Sequence, residues 1–162
     1  MKEGLCIGDT KTITVEVTRE MFAQFGGEVV HPVYSTASMV YHMEWVSRQC
    51  ILPYLEENEE AMGAAVALNH IAPSALGTNV KLTAAVSEIT KRMVTTELIV
   101  ENDNGRIGEG EVRQAILPKH IIQEKVRAAS IGGNVSISSQ LERKPIRPSY
   151  NEGNIKVEKG GI

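Results

Sequence analysis

Only one stretch of this 162-residue chain sustains a helical repeat. Met39, Val40, Met43, Val46, Cys50 and Ile51 recur at spacings of three and four until Pro53 ends the pattern. Ser35 or Thr36 supplies the N-cap. The spacing predicts one helix of about five turns, polar on the side of His42, Arg48 and Gln49. Every other patterned segment reads as strand. Lys11 to Val17 alternates, with Ile13, Val15 and Val17 on one side and polar residues between them. Ala64 to Ile71, Val80 to Ile89, Met93 to Glu101 and Gly108 to Leu117 are rich in small or β-branched residues. Short turns separate them, and the last of these holds Asn104-Gly105, a strong hairpin signal. Between Thr18 and Val33, Gly26, Gly27 and Pro32 leave no sustained period, which predicts a loop with a short helical turn around Arg19 to Phe25. One strand, one long helix and four strands joined by short turns imply an α+β fold, an antiparallel five-stranded sheet with the helix packed on one face.

The composition excludes several functions. Residues 1–118 hold 9 Lys and Arg against 16 Asp and Glu, whereas residues 119–162 hold 8 against 4. An acidic body with two Phe, four Tyr and one Trp lacks the basic face and stacking platforms that nucleic-acid binding requires. The apolar runs fall far short of the roughly 18 residues needed to cross a bilayer. The start of the chain shows neither an apolar core nor a cleavage site of a secretory signal, so the expected location is the cytoplasm. Cys6 and Cys50 are distant from each other and give neither a disulfide framework nor a zinc pattern. The run Glu56-Glu57-Asn58-Glu59-Glu60 reads as a solvated connection, and no metal site is expected. After Pro118 the pattern dissolves. Residues 119–127 suit a short amphipathic piece, and Ala128 to Ile162, dominated by Ser, Gly, Asn, Lys, Glu and Pro, reads as irregular or disordered.

Two stretches carry polar groups inside apolar patterns: Tyr34 to Trp45, and Asn69 to Gly77. Thr36 stands at the start of the helix. Glu44 lies within its apolar run, where a carboxylate loses hydration and is either a functional group or half of a buried hydrogen bond. His70 ends a strand just before a Pro/Gly turn. A hydroxyl, a carboxylate and an imidazole form a working set for acyl transfer. Thr36 and Glu44 are separated by a rise of about 12 Å along one helix, so a site using both must place substrate between them, bend the helix entry or assemble across a subunit boundary. The first helical amides, near Ala37 and Ser38, sit at the positive end of the helix dipole, where a thioester carbonyl would be polarised.

These residues resemble the hotdog-fold thioesterase family, and within it the fluoroacetyl-CoA thioesterase group. The likeness covers roughly residues 4–121. It rests on Thr36, Met39-Val40, Met43-Glu44-Trp45, Pro53-Tyr54-Leu55-Glu56, Gly63, and His70 before Pro73 and Gly77. It implies a hotdog domain over residues 1–121, a five-stranded sheet wrapped around the long helix, and a polar basic extension over residues 122–162. It also implies hydrolysis of a short acyl-CoA thioester at a dimer interface, with a dimer of dimers left open. Thr36, Glu44 and His70 match the family's catalytic positions: Glu44 activates water or attacks the carbonyl, His70 acts as acid/base or orients the carboxylate, and Thr36 hydrogen-bonds within the set. Gly63 matches a position of close backbone approach to substrate, and Tyr34, Ala37 and Ser38 are further candidates for substrate binding. No cofactor is implied, CoA being part of the substrate. The aromatic that shields the fluorinated acyl group in the family corresponds here to Val30, which argues against fluoroacetyl specificity. Lys81, Arg92 and Arg113 are candidates for the CoA phosphates by charge alone. A non-catalytic acyl-CoA or small-ligand binding module is the alternative, and a dehydratase is disfavoured because no Asp is followed closely by His near the helix start. Truncation after Arg127 is expected to leave the melting temperature within a few degrees, since the removed segment offers few apolar anchors to offset about 1–2 kcal/mol of backbone ordering per residue; thermal denaturation of the truncated chain checks this.

Overall fold

The structure, a computed structural model, describes residues 1–130 and 156–159. Its strands are β1 (Thr10–Glu16), β2 (Phe22–Phe25), β3 (Glu28–Tyr34), β4 (Glu59–His70), β5 (Asn79–Ile89), β6 (Met93–Asn102), β7 (Gly105–Pro118) and β8 (Lys156–Lys159). The helices are α1 (Thr36–Ile51) and α2 (Lys119–Ala129), with single 3-10 turns at Arg19–Met21 and Leu52–Tyr54. The main sheet is antiparallel in the order β4-β7-β6-β5-β1, and β8 is added outside β1.

The expected helix forms where its caps put it. Ser35 is the N-cap, its Oγ accepting from the Ser38 amide at 3.0 Å. At the other end Leu52 precedes proline, a position that disfavours continued α-helix, and the chain tightens into the 3-10 turn. Met39, Met43, Val46 and Cys50 face the sheet, where Ile13 and Val15, Val80, Leu82 and Ala84, Val94, Leu98 and Val100, and Val112 and Ile116 are buried against them. Each of the Val, Leu, Ile and Met side chains among these contributes on the order of 1.5–3 kcal/mol by leaving water. Where α1 crosses β7, that strand is notched by glycine. A Cβ on Gly108 would stand 2.6 Å from Met39 Sδ, and one on Gly110 would stand 2.8 Å from Met43 Cε.

Three expectations are corrected. The segment 18–33 is not a loop: after the 3-10 turn it forms the hairpin β2–β3, closed by Gly26 (φ 61°) and Gly27 (φ 88°). Two successive positive φ values are what a two-residue type I′ turn demands, and the strands it joins here are too short and mixed to show a period. The tail is not wholly irregular, because Lys156–Lys159 pairs with β1; the helix at 119–129 extends the amphipathic piece expected over 119–127. An edge strand offers free backbone groups to any extended segment, whatever its composition. The rest of that tail lies outside the described residues. Finally, His42 is not on the polar side of α1 but fully buried. It stands three residues after Met39 and four before Val46, on the apolar phase, and its Nδ1 lies 2.7 Å from the Tyr34 hydroxyl with the two rings stacked.

Burial lowers the His42 pKa from its ordinary 6.5 to about 4. The unfolded chain therefore binds this proton more readily than the folded one below pH 6.5. Stability from this group is complete above about pH 6.5 and is lost as the pH falls toward 4, by up to about 3 kcal/mol. Thermal melts between pH 7.5 and 4.5 should show the decline, and His42→Gln should flatten it; an unchanged slope in that variant would mean another group is responsible.

Candidate active site

Strand β4 and helix α1 run past each other with the three expected groups distributed along them. At one end, the first residue of α1 meets the last residue of β4. The Thr36 Oγ1 is 2.9 Å from His70 Nδ1, and His70 Nε2 is 3.2 Å from the carbonyl oxygen of Ala72. A carbonyl can only accept, so Nε2 carries the imidazole proton. Nδ1 then offers its lone pair, and the Thr36 hydroxyl donates to it. The backbone turns at once after His70, with Ile71 N and Ala72 N both donating to Ile107 O, which brings the Ala72 carbonyl under the ring. Tyr34 stands edge-on to His70, ring centroids 6.5 Å apart, and its hydroxyl is engaged by His42.

Further along, Glu44 is half-buried where α1 crosses β4. A Cβ on Gly63 would fall on Glu44 Oε1 and 2.9 Å from Cδ. The carboxylate thus occupies the space a side chain at Gly63 would need. Residue 64 forms a bulge at this point, between the pairs Gly63–Gln114 and Ala65–Arg113. Bulges re-aim a strand locally and recur beside active sites. Thr36 and His70 are brought together, Glu44 and Gly63 are brought together, and the two pairs remain at opposite ends. Six residues of β4 lie between Gly63 and His70, roughly 20 Å of strand.

The secondary candidates fare differently. Ala37 is exposed at the helix start. The Ser38 amide is spent on the Ser35 cap, and the buried Ser38 hydroxyl donates to Met21 O at 3.1 Å, so Ser38 serves the hairpin junction instead of an open anion site. Tyr34 is fully buried and supports His70 from below. Lys81 and Arg113 lie on the sheet face away from α1, and Arg113 is paired with Glu111 at 2.7 Å. Arg92 is exposed in the β5–β6 turn. The acidic run near residue 58 is drawn apart by its own contacts: Glu59 meets the N-terminal amine at 2.8 Å and Glu60 meets Arg48 at 2.6 Å. Among the described residues no cluster of His, Cys, Asp and Glu could hold a metal ion, and no helix is long and apolar enough to cross a membrane. Sequence reasoning missed Gln114, whose Nε2 donates to Glu44 O at 3.1 Å; a polar residue at an inward position of an otherwise apolar alternation in β7 was the available signal.

Comparison with known proteins bears on the family and the fold. The family model described as fluoroacetyl-CoA-specific thioesterase matches residues 17–120. The fluoroacetyl-CoA thioesterase of Streptantibioticus cattleyicolor is 27% identical over 139 residues, covering 82% of this chain and all of that one. A Thermus thermophilus hypothetical protein of the thioesterase superfamily has a crystal structure similar to this fold, with a TM-score of 0.75 and 32% identity over 88% of this chain and 99% of that one. A mutant of the fluoroacetyl-CoA-specific thioesterase superposes with a TM-score of 0.74 at 24% identity, covering 80% of this chain and 100% of the other. With a family match spanning most of the folded body, the chain belongs to the fluoroacetyl-CoA-specific thioesterase family of hotdog-fold thioester hydrolases.

Proposed function

We propose that this protein hydrolyses a short-chain acyl-CoA thioester to the free acid and CoA, in the cytoplasm, at a site completed by a second copy of the chain. The observation that carries the reading is the seating of the Glu44 carboxylate on Gly63, which holds one acidic group against backbone with no intervening side chain. Glu44 takes a proton from water as the water oxygen attacks the thioester carbonyl carbon. The tetrahedral intermediate collapses with cleavage of the carbon–sulfur bond, and the proton held by Glu44 passes to the departing CoA sulfur. The Thr36–His70 pair, whose two protons are held by its own hydrogen bonds to His70 Nδ1 and to the Ala72 carbonyl, positions the thioester. Substrate class is supported by relatives: structures of the fluoroacetyl-CoA thioesterase include one complexed with acetyl-CoA and one with fluoroacetate and CoA. Val30, exposed on the hairpin, brings no aromatic shield to the acyl group, which favours an unfluorinated acyl chain.

The two half-sites call for a partner. Strand β4 is the open end of the sheet, and from Ala61 to Asn69 it carries no charge and no proline. Such an edge is a template for another strand. In a twofold antiparallel pairing, residue i faces residue j and j faces i. Pairing centred between Val66 and Ala67 sets Gly63 opposite His70 of the partner subunit, so Glu44 of one copy joins Thr36 and His70 of the other.

Glu44→Gln keeps the shape and removes the base; turnover of acetyl-CoA or propionyl-CoA, followed by thiol release, should fall about 100-fold or more. His70→Ala should depress turnover more than stability. Thr36→Ala should cost less turnover and no helix cap, since Ser35 holds that role. Full activity in Glu44→Gln would defeat the catalytic assignment, and tight CoA-thioester binding without any turnover by the parent would favour the binding module.

Light scattering should show a dimer at micromolar concentration. Mixing inactive Glu44→Gln and His70→Ala chains after unfolding and refolding should restore about a quarter of the parental rate, because half the dimers are mixed and each mixed dimer keeps one intact site. No recovery would place the whole site within one chain.

A further inference from the structure

We propose that Gln114 is a positioning residue of the Glu44 site, its Nε2 fixing residue 44 over β4 so that the carboxylate keeps its seat on Gly63. The inference rests on the hydrolytic reading above and assigns a residue that reading does not use. Gln114 is 1% exposed, on the inner face of β7 beneath α1. Its neighbours on that face, Val112 and Ile116, are core residues. A buried amide among aliphatic side chains is retained against its desolvation only if its atoms are used.

One end of the amide is accounted for. Nε2 donates to the main-chain oxygen of Glu44 at 3.1 Å, and this fixes which end is nitrogen, because a carbonyl there would meet another carbonyl. The other end, Oε1, is buried and has no hydrogen-bond partner among the described residues. Its location links it to the site. Gln114 pairs directly with Gly63 across β7 and β4. Directly opposed residues of an antiparallel pair project to the same face, with Cβ positions about 4.5–5.5 Å apart. The Cβ position of Gly63 is where the Glu44 carboxylate sits. The Gln114 side chain is therefore the immediate cross-strand neighbour of that carboxylate.

The chemistry of the step gives this tether a role. A carboxylate that takes a proton from water must present a lone pair to it, and a hydrogen bond to the main chain of its own residue fixes where that lone pair points. Gln114 does not gain or lose a proton and does not touch the water.

The test compares Gln114→Met, which conserves volume and removes both hydrogen-bonding ends, with the parent and with Glu44→Gln, using acetyl-CoA or propionyl-CoA, whichever the parent turns over faster. The expected result is a 10- to 100-fold fall in kcat with KM within threefold and a melting temperature close to that of the parent. Combining Gln114→Met with Glu44→Gln should lower the residual rate no further than Glu44→Gln alone, which a general loosening of the core would not reproduce. A kcat within twofold of the parent, or a loss confined to KM, overturns the inference. Should Gln114→Met not fold, Gln114→Asn carries the same test, since it keeps an amide in the core but is one methylene too short to reach Glu44 O. Loss of activity in Glu44→Gln with full kcat in the Gln114 variants would remove only this assignment, whereas full activity in Glu44→Gln would remove the hydrolytic reading itself.

Discussion

The sulfur and methyl atoms of Met39 and Met43 occupy space that side chains at Gly108 and Gly110 would fill, and the height of α1 above the sheet follows from that contact. Helix-to-sheet distance is usually set by the side chains trapped between the two layers; where the sheet offers glycine, the helix descends. At this height the residue after Met43 projects sideways over the neighbouring strand. Its carboxylate meets β4 at a third glycine, Gly63. The seat of Glu44 is thus tied to core packing on β7, and a larger residue at Gly108, which would press first on Met39, would lift the carboxylate away from β4 without touching it.

The polar groups around α1 are each held by a partner that limits what they can do. Ser35 caps the helix and also donates to Ser38 Oγ, and Ser38 in turn binds Met21 O, which ties the helix start to the hairpin. Tyr34 closes β3, its amide on Ser74 O and its hydroxyl on His42. The Ser74 hydroxyl receives Asn102 Nδ2, so the loop following His70 is braced from β6. His42, kept neutral by burial, is the inner anchor of this set, and His70, partly open at the end of β4, is its outer member. The direction of the Thr36 hydroxyl depends on the Ala72 carbonyl, since that oxygen dictates which ring nitrogen of His70 holds the proton.

The helix, the first strand and the four-strand meander were legible because each presents a period long enough to count, and Thr36, Glu44 and His70 stood out as polar groups set against those periods. The contact between Thr36 and His70 follows from topology, the helix start and the end of β4 being adjacent. Other features left no such trace. His42 falls on the apolar phase of α1 while being scored as polar, and only its stack with Tyr34 explains its place. The hairpin β2–β3 has one strand of four residues and one, Glu28–Tyr34, that does not alternate and holds a proline, so it was visible only in Gly26-Gly27. The pairing of β8 depends on the open edge of β1, a property of the sheet and not of the residues Lys156 to Lys159. The bulge at residue 64 has no local sequence mark, because it is imposed by the partner strand and by the carboxylate lying on Gly63.

An edge strand of twelve residues without a central charge is a hazard to a monomer, and folded proteins ordinarily blunt such edges with lysine, proline or a covering segment. Here β4 keeps Ala61, Met62, Gly63, Ala64, Ala65, Val66, Ala67 and Leu68 in sequence, small or aliphatic throughout. Small side chains let a second backbone approach without obstruction, and their lack of charge costs little on pairing. The proposed site places its base and its imidazole near opposite ends of this same strand. In the proposed dimer, twofold pairing therefore converts a separation within one chain into an adjacency between two. Hydrolysis is then linked to assembly: a chain that has folded without a partner carries both half-sites and can complete neither.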